Sequence, residues 1–396
     1  MSQSNESLAL ESNEALFKAV EANDIAAIQR LVRNGQSINM RDGQGRTALH
    51  HAAKSALPRV SALLLALGAD VKIRDASGAR PFDTTNISQQ KLHRVRQVYQ
   101  RLKTHNFERN NELPRSLSAA AERLELDGIV KITSVIGSEA LEGMRGGARR
   151  CVADIEALLS HGRGIKQHYD EELHWCPNDK AFICNNAFKY SPDLVEFCFN
   201  PALQTIVNLY LGQPSFVSRG VIVRYPPSQS SGQRAFSWHH DMEDKRLKIM
   251  VLLTDIGPDD QYMSYVAGSH RLFHPLEMFQ QNSYPLDYCK AQLGEVRIIN
   301  SIGKAGDVFL FDSNGSHRAV RKPAGAMRDA FFVEFATNQS QVWGGDMDAA
   351  LIERLSRNGE NPFRRMQAAE KKWDQPATRK TPGWVDTLHR YDTWIN

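Results

Sequence analysis

The N-terminal quarter of the chain contains an internal repeat with a period of 33 residues, which restricts the possible folds more than any other sequence feature. The matching pairs are Ala15-Leu16 with Ala48-Leu49, Leu31 with Leu64, Gly35 with Gly68, Ile38 with Val71, Asp42 with Asp75, and Gly45 with Gly78. A unit of this length buries its apolar face only against its neighbours in a stack. The pattern predicts two helices per unit, with Gly35 and Gly68 ending the second helix of each pair.

The second unit, residues 45–71, resembles the ankyrin repeat in both its period and its Thr-Ala-Leu-His motif. The resemblance implies that the histidine of this motif is structural, so neither His50 nor His51 is a metal-ligand candidate. A third unit begins at Gly78 and then loses the pattern. Because a stack needs about three units or caps, we expect the basic segment 87–105 to form a helix that closes an all-α stack.

Composition and charge are those of an ordinary globular protein. Apolar residues make up 41% and charged residues 24% of the 396 residues. A net charge of +4 gives only weak support to a nucleic-acid or membrane-surface partner, and segment 87–105 has no aromatic platform for stacking bases. No apolar run approaches the ~18 residues of a membrane span.

The cysteines indicate a reducing environment. They are odd in number, scattered and without C-x-x-C spacing: Cys151, Cys176, Cys184, Cys198 and Cys289. Reduced thiols are the simplest interpretation. Because the first residues also lack an apolar signal sequence, we expect a cytoplasmic protein.

Beyond a polar segment that ends in Pro114, the sequence becomes mainly β-rich. A helix over 117–126, an Asp-Gly turn and a strand over 129–132 precede an amphipathic helix over 138–159. Further strands are predicted at 221–225, 236–240, 248–254, 262–266, 295–299, 308–311 and 328–335. Short strands between turns indicate a sandwich or barrel. The expected domains are the capped repeat stack (1–105), a linker (106–116), the β-rich domain (117–343) and a helical tail packed on it (344–396).

A His-x-Asp pair, His239 and Asp241, lies on a stretch that is predicted to be a strand. On a strand, His239 and Asp241 lie on one face and His240 lies on the other. One imidazole and one carboxylate provide two-thirds of the 2-His-1-carboxylate triad that binds non-haem Fe(II) and leaves one side of the metal open. The best candidate for the third ligand is His317, which follows an apolar run and a turn. Arg328 suits a dicarboxylate co-substrate, whose far carboxylate can bind a guanidinium at two points.

Together these motifs resemble the phytanoyl-CoA dioxygenase family of Fe(II)- and 2-oxoglutarate-dependent oxygenases. The resemblance spans residues 115–340 and rests on Trp238-His239-His240-Asp241, Val251-Leu252-Leu253-Thr254-Asp255, Val266-Ala267-Gly268-Ser269-His270-Arg271, Gly306-Asp307-Val308-Phe309-Leu310-Phe311-Asp312, His317 and Arg328. It implies a double-stranded β-helix, a relative of the jelly roll, with flanking helices. Ala267 and Asp260-Gln261 depart from the family pattern in loops, which leaves substrate identity open.

By the same resemblance, His239, Asp241 and His317 are the iron ligands and catalytic residues, and Arg328 binds the distal carboxylate of 2-oxoglutarate. Arg224 matches a position where the family often has a basic residue near the co-substrate; an outward-facing arginine is the alternative. His270 and His274 compete for the role of third ligand. The spacing to Arg328 favours His317, and the Gly-Ser-His histidine of the family is structural.

Three functional hypotheses follow. In the first, the enzyme uses Fe(II), 2-oxoglutarate and O2 to hydroxylate or desaturate a small organic molecule, and releases succinate and CO2. In the second, it hydroxylates a protein or peptide that the ankyrin repeats recruit, since solenoids offer extended binding surfaces. In the third, the chain is a non-catalytic ankyrin binding protein with a degenerate barrel. The complete set of His239, Asp241, His317 and Arg328 counts against the third.

Overall fold

The protein is described by a computed structural model that covers residues 14–83, 115–165, 172–177, 180–211, 215–227, 237–241, 246–272, 284–320, 327–336, 342, 345–357 and 361–368. The chain divides into two compact units, Met1–Thr104 and His105–Asn396. The predicted closing helix over 87–105, residues 106–114 of the predicted linker and residues 369–396 of the predicted tail lie outside the described residues.

The N-terminal unit consists of helices that recur with the sequence period. The helices are α1 (14–21), α2 (Ile25–Arg33), α3 (Ala48–Lys54) and α4 (Pro58–Ala66). Helices α2 and α4 each contain 9 residues. Just after them, Gly35 and Gly68 have φ angles of +91° and +95°, the left-handed conformation that ends a helix and that glycine adopts without strain. Leu49, Ala52 and Ala53 of α3 and Leu63 and Leu64 of α4 belong to the core of this unit and are fully or almost fully buried.

His50 connects the start of α3 to the next unit, as the motif predicts. Its Nδ1 accepts a hydrogen bond from the backbone N–H of Thr47 (3.1 Å), and its Nε2 lies 3.1 Å from the carbonyl oxygen of Ala79, to which it donates. His51 lies 2.9 Å from a carboxylate oxygen of Asp42. Both histidines therefore make structural contacts within the N-terminal unit.

The C-terminal unit is built around two antiparallel sheets. The strands are β1 (Ile129–Ile132), β2 (Leu173–Cys176), β3 (Ala181–Cys184), β4 (Phe216–Tyr225), β5 (Arg246–Leu252), β6 (Tyr262–Val266), β7 (Ile298–Asn300), β8 (Val308–Asp312), β9 (His317–Val320) and β10 (Arg328–Ala336). The larger sheet has the order β1-β8-β5-β10-β4-β3-β2, and the smaller one has the order β7-β6-β9.

Helices cover one face of the larger sheet. In chain order the helices of this unit are α5 (Arg115–Asp127), α6 (Ser138–Ser160), α7 (Ala187–Tyr190), α8 (Pro192–Cys198), α9 (Pro201–Leu211), α10 (Leu286–Leu293), α11 (Ala349–Ser356) and α12 (Arg364–Ala368). All except α10 contribute to the core on this face, and α10 packs in a separate cluster. Helix α8 begins with Pro192, and the side chain of Ser191 accepts a hydrogen bond from the N–H of Leu194. Serine at the N-cap and proline in the first turn favour a helix start.

Alternation along the strands divides the side chains between two cores. In β8, Val308 and Leu310 pack with the helices, whereas Phe309 and Phe311 pack against Met263 and Tyr265 of the smaller sheet. We call the face of the larger sheet that bears Phe309 and Phe311 the inner face. Side chains that point away from the helices therefore enter the space between the two sheets.

Most of the predicted strands overlap strands of the structure, but the described residues 237–240 of the predicted run 236–240 do not form one. Among its described residues, 237–240, only an isolated bridge between His239 and His317 is present. Strand β9, which begins at His317, was not predicted, because its four residues are too short for a clear alternation pattern.

No helix in the described parts of the chain combines the length and the apolar character that crossing a membrane requires. All five cysteines are buried and have free thiols.

Candidate metal centre

Backbone hydrogen bonds bring the segment that contains His239 and Asp241 to the start of β9. His239 and His317 exchange both N–H···O bonds at 2.9 Å, and the N–H of Asp241 donates to the carbonyl oxygen of Ser313 at 2.9 Å. The two imidazole rings lie with their centroids 4.4 Å apart. One side-chain donor atom from each of His239, Asp241 and His317 lies within 4.8 Å of the other two.

Local carbonyl groups orient both histidines. Nδ1 of His239 lies 2.8 Å from the carbonyl oxygen of Ser237, and Nδ1 of His317 lies 2.9 Å from that of Gly315. A carbonyl oxygen can only accept, so Nδ1 carries the proton in each ring and Nε2 has an unshared pair. Outer hydrogen bonds of this kind fix the tautomer of metal-binding histidines.

The charge states of the three side chains also suit a divalent cation. Burial and the neighbouring His317 lower the pKa of His239 to about 4, and burial lowers the pKa of His317. Burial opposes ionisation of Asp241, but the ammonium of Lys248 and the two imidazoles outweigh it and keep the pKa of the carboxyl group well below its usual value. At neutral pH the site therefore offers two neutral imidazoles and one carboxylate, the protonation states that metal binding requires.

Arg328 lies on the inner face of β10, and its side chain is nearly fully buried. Its Nη2 lies 3.0 Å from Sδ of Met250, and its guanidinium lies over the rings of Tyr225 and Phe332 at 5.5 and 6.0 Å. Burial lowers the pKa of this arginine. Within the described residues, its Nε has no hydrogen-bond partner and no carboxylate pairs with it. A buried guanidinium in this condition favours an anionic ligand, since an uncompensated charge is costly to bury.

Arg328 and the triad lie at neighbouring levels of the same face. Arg328 contacts Met250 of β5. Lys248, two positions before Met250 on the same strand, contacts Asp241 at 2.7 Å. Two strand residues span about 7 Å. The side chain that Arg328 contacts, Met250, therefore lies about 7 Å along the inner face from Lys248, which contacts Asp241.

The structure does not bring Arg224 to this site. Arg224 is the register partner of Asp329, the residue after Arg328, so it lies on the face of the sheet opposite Arg328. Its Nε and Nη2 each donate to a carboxylate oxygen of Asp329 at 2.7 Å, and this ion pair raises the pKa of Arg224. Arg224 is therefore the outward-facing arginine of the alternative prediction and does not share a face with Arg328.

The other candidate histidines lie away from the triad. The ring of His240 packs edge-on against Tyr284 at 6.0 Å, and its nitrogens are not part of the donor set. Nε2 of His270 lies 3.2 Å from the carbonyl oxygen of Glu125, and the side chain is nearly buried. His274 lies outside the described residues.

Three charged residues of the inner face, Lys248, Glu334 and Arg246, were not predicted from the sequence. Nζ of Lys248 lies 2.7 Å from Oδ2 of Asp241 and 3.4 Å from Oε1 of Glu334, while Nη1 of Arg246 lies 3.3 Å from Oε2 of Glu334. The available signal was that Glu334 interrupts the apolar run of the predicted strand 328–335, and that Lys248 begins the otherwise apolar run of the predicted strand 248–254. Charged side chains on a buried face are candidates for a functional site.

Comparison with known proteins assigns both parts of the chain. A family model for phytanoyl-CoA dioxygenase (PhyH) matches residues 124–330, and one for ankyrin repeats (many copies) matches residues 16–67. The human 2-5A-dependent ribonuclease is 37% identical over 82 residues; the match covers 20% of this chain and only 11% of that protein.

Solved structures of similar fold share little sequence identity with this chain. The iron-bound EctD from S. alaskensis has 20% identity and a TM-score of 0.49, covering 65% of this chain and 89% of EctD. The α-ketoglutarate-dependent epimerase SnoN from nogalamycin biosynthesis has 16% identity and a TM-score of 0.45, covering 57% of this chain and 84% of SnoN. The family match itself covers more than half of the sequence. The chain is a member of the phytanoyl-CoA dioxygenase family that carries ankyrin repeats ahead of the family domain.

Proposed function

We propose that the protein is an Fe(II)- and 2-oxoglutarate-dependent dioxygenase that hydroxylates or desaturates a small organic substrate and releases succinate and CO2. The observation that carries the proposal is the combination of a compact His239, Asp241 and His317 donor set with the buried guanidinium of Arg328 on the same inner face. Two imidazoles and one carboxylate, without a thiolate, are typical of non-haem iron centres with open coordination positions.

Each residue has a defined part in this proposal. His239 and His317 would bind the metal through Nε2, and Asp241 would bind it through its carboxylate. Arg328 would bind the far carboxylate of 2-oxoglutarate and so orient its other end toward the metal. When bound, Fe(II) supplies the activation of O2 that oxidises the substrate. Asp241 favours hydroxylation or desaturation, since family relatives that halogenate lack this carboxylate.

Succinate production tests the proposal most simply. The full chain is incubated with Fe(II), 2-oxoglutarate and O2, and succinate is measured for the wild type and for His239→Ala. We expect the wild type to form succinate, if only slowly without its substrate, and the variant to form almost none. Equal succinate from both proteins would exclude His239 as part of an iron-dependent oxygenase.

The ankyrin repeats support a second candidate, a hydroxylase of proteins or peptides. Stacked repeats offer an extended surface for a protein partner. Under the proposed domain boundaries, a variant that lacks residues 1–105 retains the whole family domain. Unchanged turnover of a small-molecule substrate by this variant would support the first candidate. Loss of turnover only on a protein captured by the repeats would support the second.

A further inference from the structure

We propose that Lys248 is a positioning residue that keeps Glu334 out of the ligand set of the metal and so preserves the open coordination positions for 2-oxoglutarate. The inference rests on the proposed function, because it assumes a metal bound by His239, Asp241 and His317. It adds a reason why this part of the inner face contains a second carboxylate and a lysine that the metal triad does not require.

A single ammonium group separates the two carboxylates. Lys248 on β5 is directly opposite Glu334 on β10 in the sheet register. Its Nζ lies 2.7 Å from Oδ2 of Asp241 and 3.4 Å from Oε1 of Glu334. Lysine has three donors, so it can contact both carboxylates at once. Lys248 therefore links Oε1 of Glu334 to Asp241, which is one of the three candidate metal ligands.

The remaining contacts of Glu334 hold it from other directions. Nη1 of Arg246 lies 3.3 Å from Oε2, and Arg219 is the register partner of Glu334 on β4. The pairing of β10 with β4 shifts between Glu334 and Phe335, a bulge of the kind that redirects side chains near functional sites. Loss of Lys248 would leave these contacts in place and would free only the oxygen on the side of Asp241.

The chemistry of the ligand set makes this separation important. A 2-His-1-carboxylate site leaves positions for a chelating co-substrate and O2. A second carboxylate would add negative charge, bind a divalent cation more tightly and occupy one of those positions, since attraction between charges is strong in a partly buried site. The ammonium of Lys248 opposes both effects.

The test uses the full chain with Mn²⁺, which binds oxygen and nitrogen ligands without turnover. Mn²⁺ affinity is measured from the electron paramagnetic resonance of the free ion, and 2-oxoglutarate affinity by calorimetry on the Mn²⁺-loaded protein. The variants are Lys248→Met, Glu334→Gln and the double variant. Lys304→Met is the matched control, because it removes a lysine that pairs with Asp255 at 2.9 Å on the exposed surface.

We expect Lys248→Met to bind Mn²⁺ about tenfold more tightly and 2-oxoglutarate about tenfold more weakly than the wild type. Glu334→Gln and Lys304→Met should remain within about threefold of the wild type for both ligands. The double variant should regain the 2-oxoglutarate affinity of the wild type, because glutamine does not supply the extra carboxylate. If Lys248→Met alone does not fold, the double variant still tests the inference, because a protein that lacks both members of the pair should bind 2-oxoglutarate as the wild type does.

Unchanged 2-oxoglutarate binding in Lys248→Met, or failure of the double variant to restore it, would overturn the inference and leave the proposed function intact. A wild-type protein that binds no Mn²⁺ would overturn both. These two results are separate, because the first concerns only the variants and the second concerns only the wild type.

Discussion

Backbone carbonyl groups decide which nitrogen of each candidate ligand histidine is available to a metal. In both cases the carbonyl belongs to the residue two positions earlier, Ser237 for His239 and Gly315 for His317. The sequence shows the histidines but not these contacts, because they depend on the local backbone angles of two different segments. The residue types could be predicted, and the orientation of the rings could not.

Arg328 is expected to provide most of the binding energy for the far carboxylate of 2-oxoglutarate. Loss of one member of a buried ion pair costs about 2–5 kcal/mol, so Arg328→Met should weaken 2-oxoglutarate binding to the Mn²⁺-loaded protein by about 30-fold or more. Calorimetry measures this dissociation constant directly.

Arg224→Met is the matched control for that experiment. It removes an arginine from the adjacent strand, but one that pairs with Asp329 on the opposite face. We expect it to lower the thermal stability and to leave the 2-oxoglutarate dissociation constant within about threefold of the wild type. A large loss of affinity in Arg224→Met, or none in Arg328→Met, would reverse the assignment of the two arginines.

Arg318 stabilises the ligand segment from the side of β9. Its guanidinium lies 4.6 Å from the ring centroid of Trp238, so the residues next to His239 and His317 form a cation–π contact. Such a contact contributes about 0.5–2 kcal/mol, and Arg318→Met should therefore weaken Mn²⁺ binding by about two- to 30-fold. Arg365→Met removes a comparable contact with Phe216 at 4.4 Å and should leave Mn²⁺ binding unchanged. Equal Mn²⁺ affinity in both variants would show that the Trp238 contact has no part in positioning the ligands.

At the level of strands and helices, the alternation of side chains along β10 places residues that are neighbours in sequence on opposite faces of the sheet. Arg328 lies on the inner face, whereas Asp329 points to the helix-covered face and pairs with Arg224. Sequence alternation alone predicts that Arg328 and Asp329 diverge, but it does not give the register between β10 and β4. The role of Arg224 could therefore not be assigned before the pairing was known.

The sequence pattern was most reliable where apolar strands are long or repeats are regular. The helices of the repeat unit follow the period of 33, and the core strands β4, β5, β8 and β10 overlap the predicted runs. It was less reliable for the predicted strand 236–240, whose described residues 237–240 have a β-rich composition but form only a bridge from His239 to His317. That segment is held by tertiary contacts, which local propensity does not report.

The contact between β4 and α7 depends on a glycine. A Cβ atom at Gly220 would lie 2.4 Å from a ring carbon of Phe188, whose side chain is almost fully buried. Gly220→Ala should therefore lower the free energy of unfolding by about 1–3 kcal/mol, the usual cost of overpacking a core. Urea unfolding measures the change. In Gly137→Ala, where no atom lies within 4 Å of the added Cβ, the change should be much smaller; equal effects would argue against tight packing at Gly220.

For the whole molecule, two units of different architecture are joined in one chain. The repeat unit has the period and buried helix faces of a solenoid, and the family domain contains the candidate metal centre with its arginine. The sequence predicted both parts because each has a motif set of its own. The substrate depends on the shape of the space beside the metal and on loops, which carry no comparable pattern.

The central claim, that His239, Asp241 and His317 form one metal site, is tested most directly by counting bound Mn²⁺. The wild type should bind one ion per chain. His239→Ala, Asp241→Asn and His317→Ala should each weaken binding by more than the roughly 10- to 100-fold that loss of an outer hydrogen-bond partner costs, while the exposed His161→Ala should bind as the wild type does. Undiminished stoichiometric binding in any one of the three ligand variants would contradict the account.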